Sequence, residues 1–94
     1  MPVIAVEYFY TTATAAARDE VRPDHREWLA GLVERGVVLS SGPYTDGSGA
    51  LILVSAADVD AARSLFEADP FAKAGLVDSA RFTEWTPVMG TFVS

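Results

Sequence analysis

The single histidine of the chain, His25, is the residue best suited to acid–base chemistry. It shares an apolar stripe with Val21, Trp28, Leu29 and Leu32 at steps of three and four residues, so its ring should point into the domain. A neutral imidazole there can accept a proton from a bound molecule and later return it. The alternative is a core histidine that is hydrogen-bonded to the backbone.

Asp69 is the candidate partner of His25. A carboxylate beside the ring would orient it and stabilise the imidazolium. Asp69 precedes Pro70, however, and this pair is typical of a helix N-cap and first helical position, so a capping role is the alternative. Asp24 is adjacent to His25 in sequence but points about 100° away around a helix, so it cannot easily share a pocket with the histidine. Glu7 interrupts an apolar strand face and fits either a pocket or the rim of a dimer.

Five further residues are candidates for contacting a substrate. Arg22 flanks the apolar stripe and could hold an anionic group through its planar guanidinium, or form an ion pair. Arg81 has the same two options, and the acidic excess of the chain favours the ion pair. Tyr8 could line an aromatic pocket or belong to the core. Backbone amides near Gly42 could stabilise developing negative charge, with Pro43 beside them.

Several other chemistries find no support in the sequence. The absence of cysteine removes thiolate nucleophiles and zinc–thiolate sites. One histidine and scattered carboxylates lack the compact spacing of a metal site. The glycines between Gly42 and Gly49 lack both the phosphate-loop lysine and the dinucleotide spacing. We therefore predict neither a metal nor a cofactor.

Length and charge narrow the class of protein. A chain of 94 residues suits a single domain spanning residues 1–94. Thirteen acidic and seven basic residues give a net charge of −6, which disfavours binding to nucleic acid. No apolar run approaches the ~20 residues of a membrane span, and the N-terminus lacks a signal-peptide pattern. A cytoplasmic protein without a membrane partner is the prediction.

The elements that must position these residues follow from periodicity and turn signals. Pro23 suits the first turn of a helix that ends near Gly36, which would place His25 close to the positive end of the helix dipole and favour a neutral ring. Ser55 and Asp58 fit a capping box that opens a second helix. Strands are predicted at 1–10, 37–41, 50–54 and 77–85, and residues 87–94 as an edge strand or a dimer contact.

The resulting order, β-α-β-β-α-β, predicts an α+β domain of the ferredoxin-like type with an antiparallel sheet and both helices on one face. The other face would carry more apolar surface than two short helices can cover, because Val3, Phe9, Leu51, Leu53 and Trp85 fall on it. We therefore expect this face to meet a second copy, giving a homodimer built as a shared α+β barrel.

Three short motifs resemble the YCII-related (YciI-like) family. They are Arg22-Pro23-Asp24-His25, then Gly42-Pro43, and then Asp69-Pro70-Phe71 followed by Ala74-Gly75. The resemblance covers roughly residues 1–85. It implies a dimeric α+β barrel whose pocket contains a His–Asp pair, with His25 and Asp69 at the two positions.

The leading hypothesis is therefore a small cofactor-free enzyme of lyase or isomerase type that acts on a small organic acid or phenolic compound. His25 would remove or relay a proton, Asp69 would fix its tautomer, and Arg22 would orient an anionic group. Two alternatives remain: a non-catalytic dimer that binds a small metabolite in the same pocket, and a cofactor-free monooxygenase of the same barrel architecture.

Overall fold

The computed structural model describes residues 1–93 and contains four strands and three helices. A 3₁₀ turn at Thr12–Thr14 leads into the first helix. The elements are β1 (Val3–Phe9), α1 (Ala15–Glu34), β2 (Val38–Pro43), β3 (Gly49–Ser55), α2 (Val59–Phe66), α3 (Pro70–Lys73) and β4 (Ser79–Trp85). The predicted β-α-β-β-α-β order is confirmed, with α3 as an added single turn of helix.

The sheet runs in the order β2-β3-β1-β4, and every neighbouring pair is antiparallel. Strand β1 lies inside the sheet, where Val6 pairs with Ile52 on one side and Phe82 on the other. Its apolar residues on both faces suit that interior position. The predicted ferredoxin-like α+β fold is confirmed.

The core lies between the helices and one face of the sheet. Alternate residues of β1, including Ile4 and Val6, are fully buried against residues of α1 and α2 such as Leu32 and Phe66. Burying an aliphatic or aromatic side chain of this size contributes about 1.5–3 kcal/mol. This layer holds α1 firmly against the sheet, and α1 carries His25.

Helix α1 begins eight residues earlier than the sequence predicts. It starts at Ala15, and Pro23 lies inside it rather than in its first turn. The run Ala15–Ala17 has high helix propensity, and an internal proline removes only one backbone donor while α1 stays packed on the sheet. His25 is therefore far from the helix N-terminus, and the prediction that the helix dipole keeps its ring neutral is wrong.

The start of α2, the end of β2 and the C-terminal tail also differ from their predictions. The N-cap of α2 is Asp58, whose Oδ1 accepts the Ala61 N–H at 2.7 Å, while Ser55 remains in β3, so the predicted capping box is wrong. Strand β2 continues to Pro43. Residues 86–93 form no strand, which leaves dimer contact as the prediction for this tail; Ser94 lies outside the described residues.

The second face of the sheet has no helix packed on it within the described chain. Leu51 and Leu53 of β3 lie on it beside Val3 of β1, and Trp85 at the end of β4 is 42% exposed. We call this surface the open face. No helix among residues 1–93 has the length and apolar character needed to cross a membrane.

Candidate active site

His25 and Asp69 form a buried pair at the centre of the domain. His25 Nδ1 lies 2.7 Å from Asp69 Oδ1, although the two residues are 44 positions apart in sequence. The histidine is 8% exposed and the aspartate 0%. The two sequence candidates for acid–base chemistry are thus in hydrogen-bond contact, with the carboxylate deeper than the ring.

Asp69 also caps α3, so its two predicted roles are compatible. Its Oδ1 accepts the Phe71 N–H at 2.9 Å, and Pro70 occupies the first helical position. The same oxygen faces His25. The cap thereby fixes the carboxylate in the orientation that the histidine requires, because both hydrogen bonds depend on one side-chain rotamer.

Tyr8 lies behind Asp69 and not on the wall of the His25 cavity. Its hydroxyl donates to Asp69 Oδ2 at 2.6 Å, and its side chain is 2% exposed. Burial, with the adjacent carboxylate, raises the pKa of Tyr8 well above its usual value, so the hydroxyl stays protonated and donates. The prediction that Tyr8 lines the substrate pocket is wrong, since the inward-facing side of β1 is covered by helices.

Phe71 fixes the plane of the His25 ring. The two rings are parallel, with an angle of 3° between them and 3.9 Å between their centroids. Asp69 holds one ring nitrogen, and Phe71 covers one ring face. The imidazole therefore has little freedom to rotate, which is the pre-organisation that a proton-transferring group needs.

The other ring nitrogen, Nε2, reaches a cavity of about 350 Å³. It has no hydrogen-bond partner among residues 1–93, yet every fully buried side-chain nitrogen or oxygen there has one, so Nε2 is not sealed in protein. The cavity is lined by Tyr10, Arg22, His25, Arg26, Leu29, Ala30, Ser41, Gly42, Pro43, Ala50 and Phe71. Three of the predicted substrate-contacting residues are therefore beside His25, namely Arg22, Gly42 and Pro43.

The three motifs of the sequence analysis meet around this cavity, and the sequence profile of the YCII-related domain matches residues 1–86. The chain belongs to the YCII-related family. No curated protein matches it in sequence.

Two solved structures resemble this YCII-related domain in fold. One is the 5-chloro-2-hydroxyhydroquinone dehydrochlorinase of Burkholderia phenoliruptrix AC1100, in complex with 2,5-dihydroxybenzoquinone; it is 22% identical, with a TM-score of 0.78, over 89% of this chain and 93% of that one. The other is a candidate antibiotic biosynthesis monooxygenase of Bacteroides thetaiotaomicron, 18% identical, with a TM-score of 0.62, over 94% of this chain and 90% of that one. At these identities the likeness establishes the shared α+β fold.

Arg22 forms the predicted ion pair in this YCII-related domain and also lines the cavity beside His25. Its Nη1 donates to the carboxylate of Asp19, one turn earlier on α1, and its side chain also lines the His25 cavity. Arg26, which sequence reasoning missed, lines the same cavity one turn further along. Tyr10 completes the wall, and its burial raises the pKa of its hydroxyl to about 12. The cavity therefore combines aromatic walls with two cations.

Glu7 lies on the open face and not in the pocket, so its pocket role is wrong. Its Oε1 accepts hydrogen bonds from Arg81 Nε at 3.0 Å and Nη2 at 2.6 Å, and Oε2 accepts from the Tyr44 hydroxyl at 3.0 Å. The bonds from Arg81, then that from Tyr44, lower the pKa of Glu7. The predicted ion pair of Arg81 is confirmed.

Within residues 1–93, no group of three histidine, aspartate or glutamate side chains is placed to hold a metal ion. What the site does contain is one imidazole with a fixed carboxylate, a fixed ring plane and an accessible Nε2. That arrangement is suited to moving a proton.

Proposed function

We propose that this domain is an enzyme of lyase or isomerase type that needs no cofactor and acts on a small organic acid or phenolic compound. One observation carries the proposal: His25 presents Nε2 to a cavity while Asp69 holds Nδ1 at 2.7 Å. The hydrogen bond favours the tautomer with a proton on Nδ1, which leaves the Nε2 lone pair free to act as a base.

In the proposed reaction, Nε2 removes a proton from a hydroxyl or carbon of the substrate. The electron pair of the broken bond forms a new double bond. In a lyase reaction that shift expels a leaving group together with its bonding electrons, and in an isomerisation His25 returns the proton at a different atom. Asp69 stabilises the imidazolium throughout, because its carboxylate is already in hydrogen-bond contact with the ring.

Two parts of the cavity wall, the Arg22 side chain and the Gly42-Pro43 backbone, support binding of an oxygen-rich substrate. Arg22 offers guanidinium N–H groups to an anionic oxygen. The backbone around Gly42 and Pro43 forms the opposite wall, where an amide N–H could stabilise charge as it develops. The dehydrochlorinase with the same fold acts on a chlorinated hydroxyquinol, which makes phenolic compounds the first class to test.

The test is a screen of hydroxylated and halogenated aromatic compounds and of hydroxy acids. Turnover is monitored by absorbance, by halide release and by oxygen consumption. We expect turnover by the wild type and a loss of about 10²–10⁴-fold for His25→Gln. Arg35→Gln is the control, since Arg35 is exposed at the end of α1. Full turnover by a folded His25→Gln protein would remove His25 from the mechanism.

The same screen separates the two other functions. Saturable binding without a product would favour a metabolite-binding module. Oxygen consumption coupled to product formation would favour a monooxygenase. Both results would contradict the lyase or isomerase proposal.

We also propose that the open face pairs with the open face of a second copy, giving a dimeric α+β barrel. The support is the exposed apolar surface of Phe9 and Trp85, which are 36% and 42% exposed, beside the half-buried Leu51. The Glu7–Arg81 pair on this face is balanced in charge and does not prevent apposition of two copies. Light scattering at micromolar concentration should give twice the 10.0 kDa chain mass, and Trp85→Glu, at a side chain that is 42% exposed in the single chain, should give the monomer. A monomeric wild type would contradict the proposal.

A further inference from the structure

We propose that Arg18 and Arg22 bind a carboxylate of the ligand, in a second cavity that adjoins the His25 cavity. The inference rests on the proposed function in one respect, namely that the same ligand also reaches His25. It assigns a substrate class: monoanionic carboxylic acids that carry a hydroxyl or other reactive group away from the acid.

Arg18 is a buried cation whose contacts within residues 1–93 are with neutral groups. It is 6% exposed, and its guanidinium donates to Thr14 Oγ1 and, at 3.1 Å, to the carbonyl oxygen of Thr11. Its Cζ lies 4.2 Å from the centroid of the Tyr10 ring. Among residues 1–93 it forms no salt bridge. Buried charges in proteins are normally paired, because an isolated one is costly to desolvate, so an anionic ligand is the natural partner here.

Arg22 lies one turn after Arg18, on the same side of α1. Both arginines line a cavity of about 530 Å³, together with Tyr10, Thr11 and residues 46–49. Arg22 uses its Nη1 for the hydrogen bond to the Asp19 carboxylate, which leaves Nε and Nη2 available. Its remaining N–H groups and those of Arg18 are the donors that a planar carboxylate matches best.

The two cavities are neighbours, since Tyr10, Arg22 and Pro43 line both of them. His25 follows Arg18 by seven residues, which corresponds to a rise of about 10 Å along α1. Arg22 stands between the two. A ligand that places a carboxylate at the arginines and a reactive hydroxyl at His25 therefore needs a spacer about the size of an aromatic ring.

The lining favours a carboxylate over a phosphate. In the loop at 46–49, the Ser48 N–H donates to Asp46 Oδ1 at 2.9 Å and the Gly47 N–H donates to the Tyr44 carbonyl at 3.0 Å, so these amides are already engaged within the protein. The carboxylate of Asp46 also lines the cavity and would repel a second negative charge. Because Asp46 offsets one of the two arginine charges in the lining, the remaining positive charge matches a monoanion better than a phosphate dianion.

The experiment compares 4-hydroxybenzoate, 4-hydroxybenzamide and inorganic phosphate as probes of the wild type, with binding followed by the NMR signals of the single histidine. The two aromatic probes differ in one charge and have nearly the same shape. We expect the acid to bind at least about tenfold more tightly than the amide. Arg18→Met should reduce this preference, with the remainder due to Arg22, and Arg35→Met, on the exposed end of the same helix, should leave it unchanged.

The ratio of acid to amide affinity is the deciding readout, because a purely structural Arg18 would weaken both probes equally. The wild-type ratio also decides the matter if Arg18→Met fails to fold. Equal affinity for the two aromatic probes, no binding of the acid, or tighter binding of phosphate would each overturn the proposal. Loss of the carboxylate site would leave the His25–Asp69 mechanism standing, whereas a clear acid preference without any turnover would remove the mechanism alone.

Discussion

The ring of His25 lies flat against the ring of Phe71, with 3.9 Å between their centroids. Phe71 belongs to the single turn of α3, and Asp69 is the N-cap of that same turn. One short helix therefore controls both the orientation of the histidine ring and the charge beside it.

The carboxylate of Asp69 should determine which nitrogen of His25 carries the proton. In the wild type, ¹⁵N NMR of the single histidine should find a proton on Nδ1, because Nδ1 faces Asp69 Oδ1 at 2.7 Å. Asp69→Asn can present an amide N–H to Nδ1 and should shift the population toward the Nε2–H tautomer, with loss of most activity. An unchanged tautomer in this variant would show that Asp69 acts only as a helix cap.

Tyr8→Phe should destabilise the fold by about 1–2 kcal/mol, because it leaves Asp69 Oδ2 buried without its donor. The measurement is urea unfolding at neutral pH. Tyr44→Phe is the matched control, since it also removes one tyrosine–carboxylate hydrogen bond, but at a site that water can reach. Equal losses for the two variants would contradict a special role for the buried Tyr8 hydroxyl.

Gly49 permits the close approach of β3 to β1. A Cβ atom at this position would overlap the backbone carbonyl of Tyr8, which cannot move without disturbing the strand that carries the Tyr8 hydroxyl. Gly49→Ala should therefore destabilise the domain by about 1–3 kcal/mol and weaken the support of Asp69. Gly42→Ala serves as the control for stability, because its Cβ would meet no atom within 4 Å. Thermal unfolding of the two variants side by side checks this, and equal midpoints would refute it.

The folded domain should lose stability in acid when Glu7, on the open face, becomes protonated. Its pKa in the folded protein is lowered from the usual 4.5, mainly by its hydrogen bonds with Arg81. A lowered folded pKa means that ionised Glu7 contributes stability above about pH 4.5, and that this contribution is lost as the pH falls through the folded value.

Glu7→Gln should thus be less stable than the wild type at pH 7, and the difference should shrink progressively below pH 4.5. Urea unfolding across this range measures the effect, and Glu84→Gln on the exposed strand β4 corrects for a general change in charge. A difference that stays constant with pH would count against the ion pair as its cause.

Local patterns in the sequence were sufficient to predict the fold and half of the site. The strands are marked by short runs of β-branched and aromatic residues between turn signals, and α1 by apolar residues at steps of three and four. His25 is found because it lies on that stripe, and Asp69 because an aspartate before a proline is typical of a helix start. Their pairing, across 44 positions, came from the family resemblance and not from any local signal.

The remaining features depend on contacts that leave no local pattern. The Tyr8 hydroxyl meets Asp69 across 61 positions, and nothing near Tyr8 in sequence distinguishes it from a core aromatic residue. Pro23 was misleading because tertiary packing of α1 outweighs one lost hydrogen bond. Arg18 was overlooked because it follows an alanine run that looks featureless. Its burial is visible only once the 3₁₀ turn at Thr12–Thr14 folds beside it.

The double duty of Asp69 affects how relatives of this protein should be interpreted. Because the carboxylate caps α3 as well as holding His25, a relative that lacks the histidine still has a structural use for an aspartate at this position. The aspartate–proline pair therefore identifies the architecture, and under the proposed mechanism the histidine opposite it identifies the chemistry. On that proposal, a survey that sorts family members by the histidine would separate enzymes from domains that have kept only the scaffold.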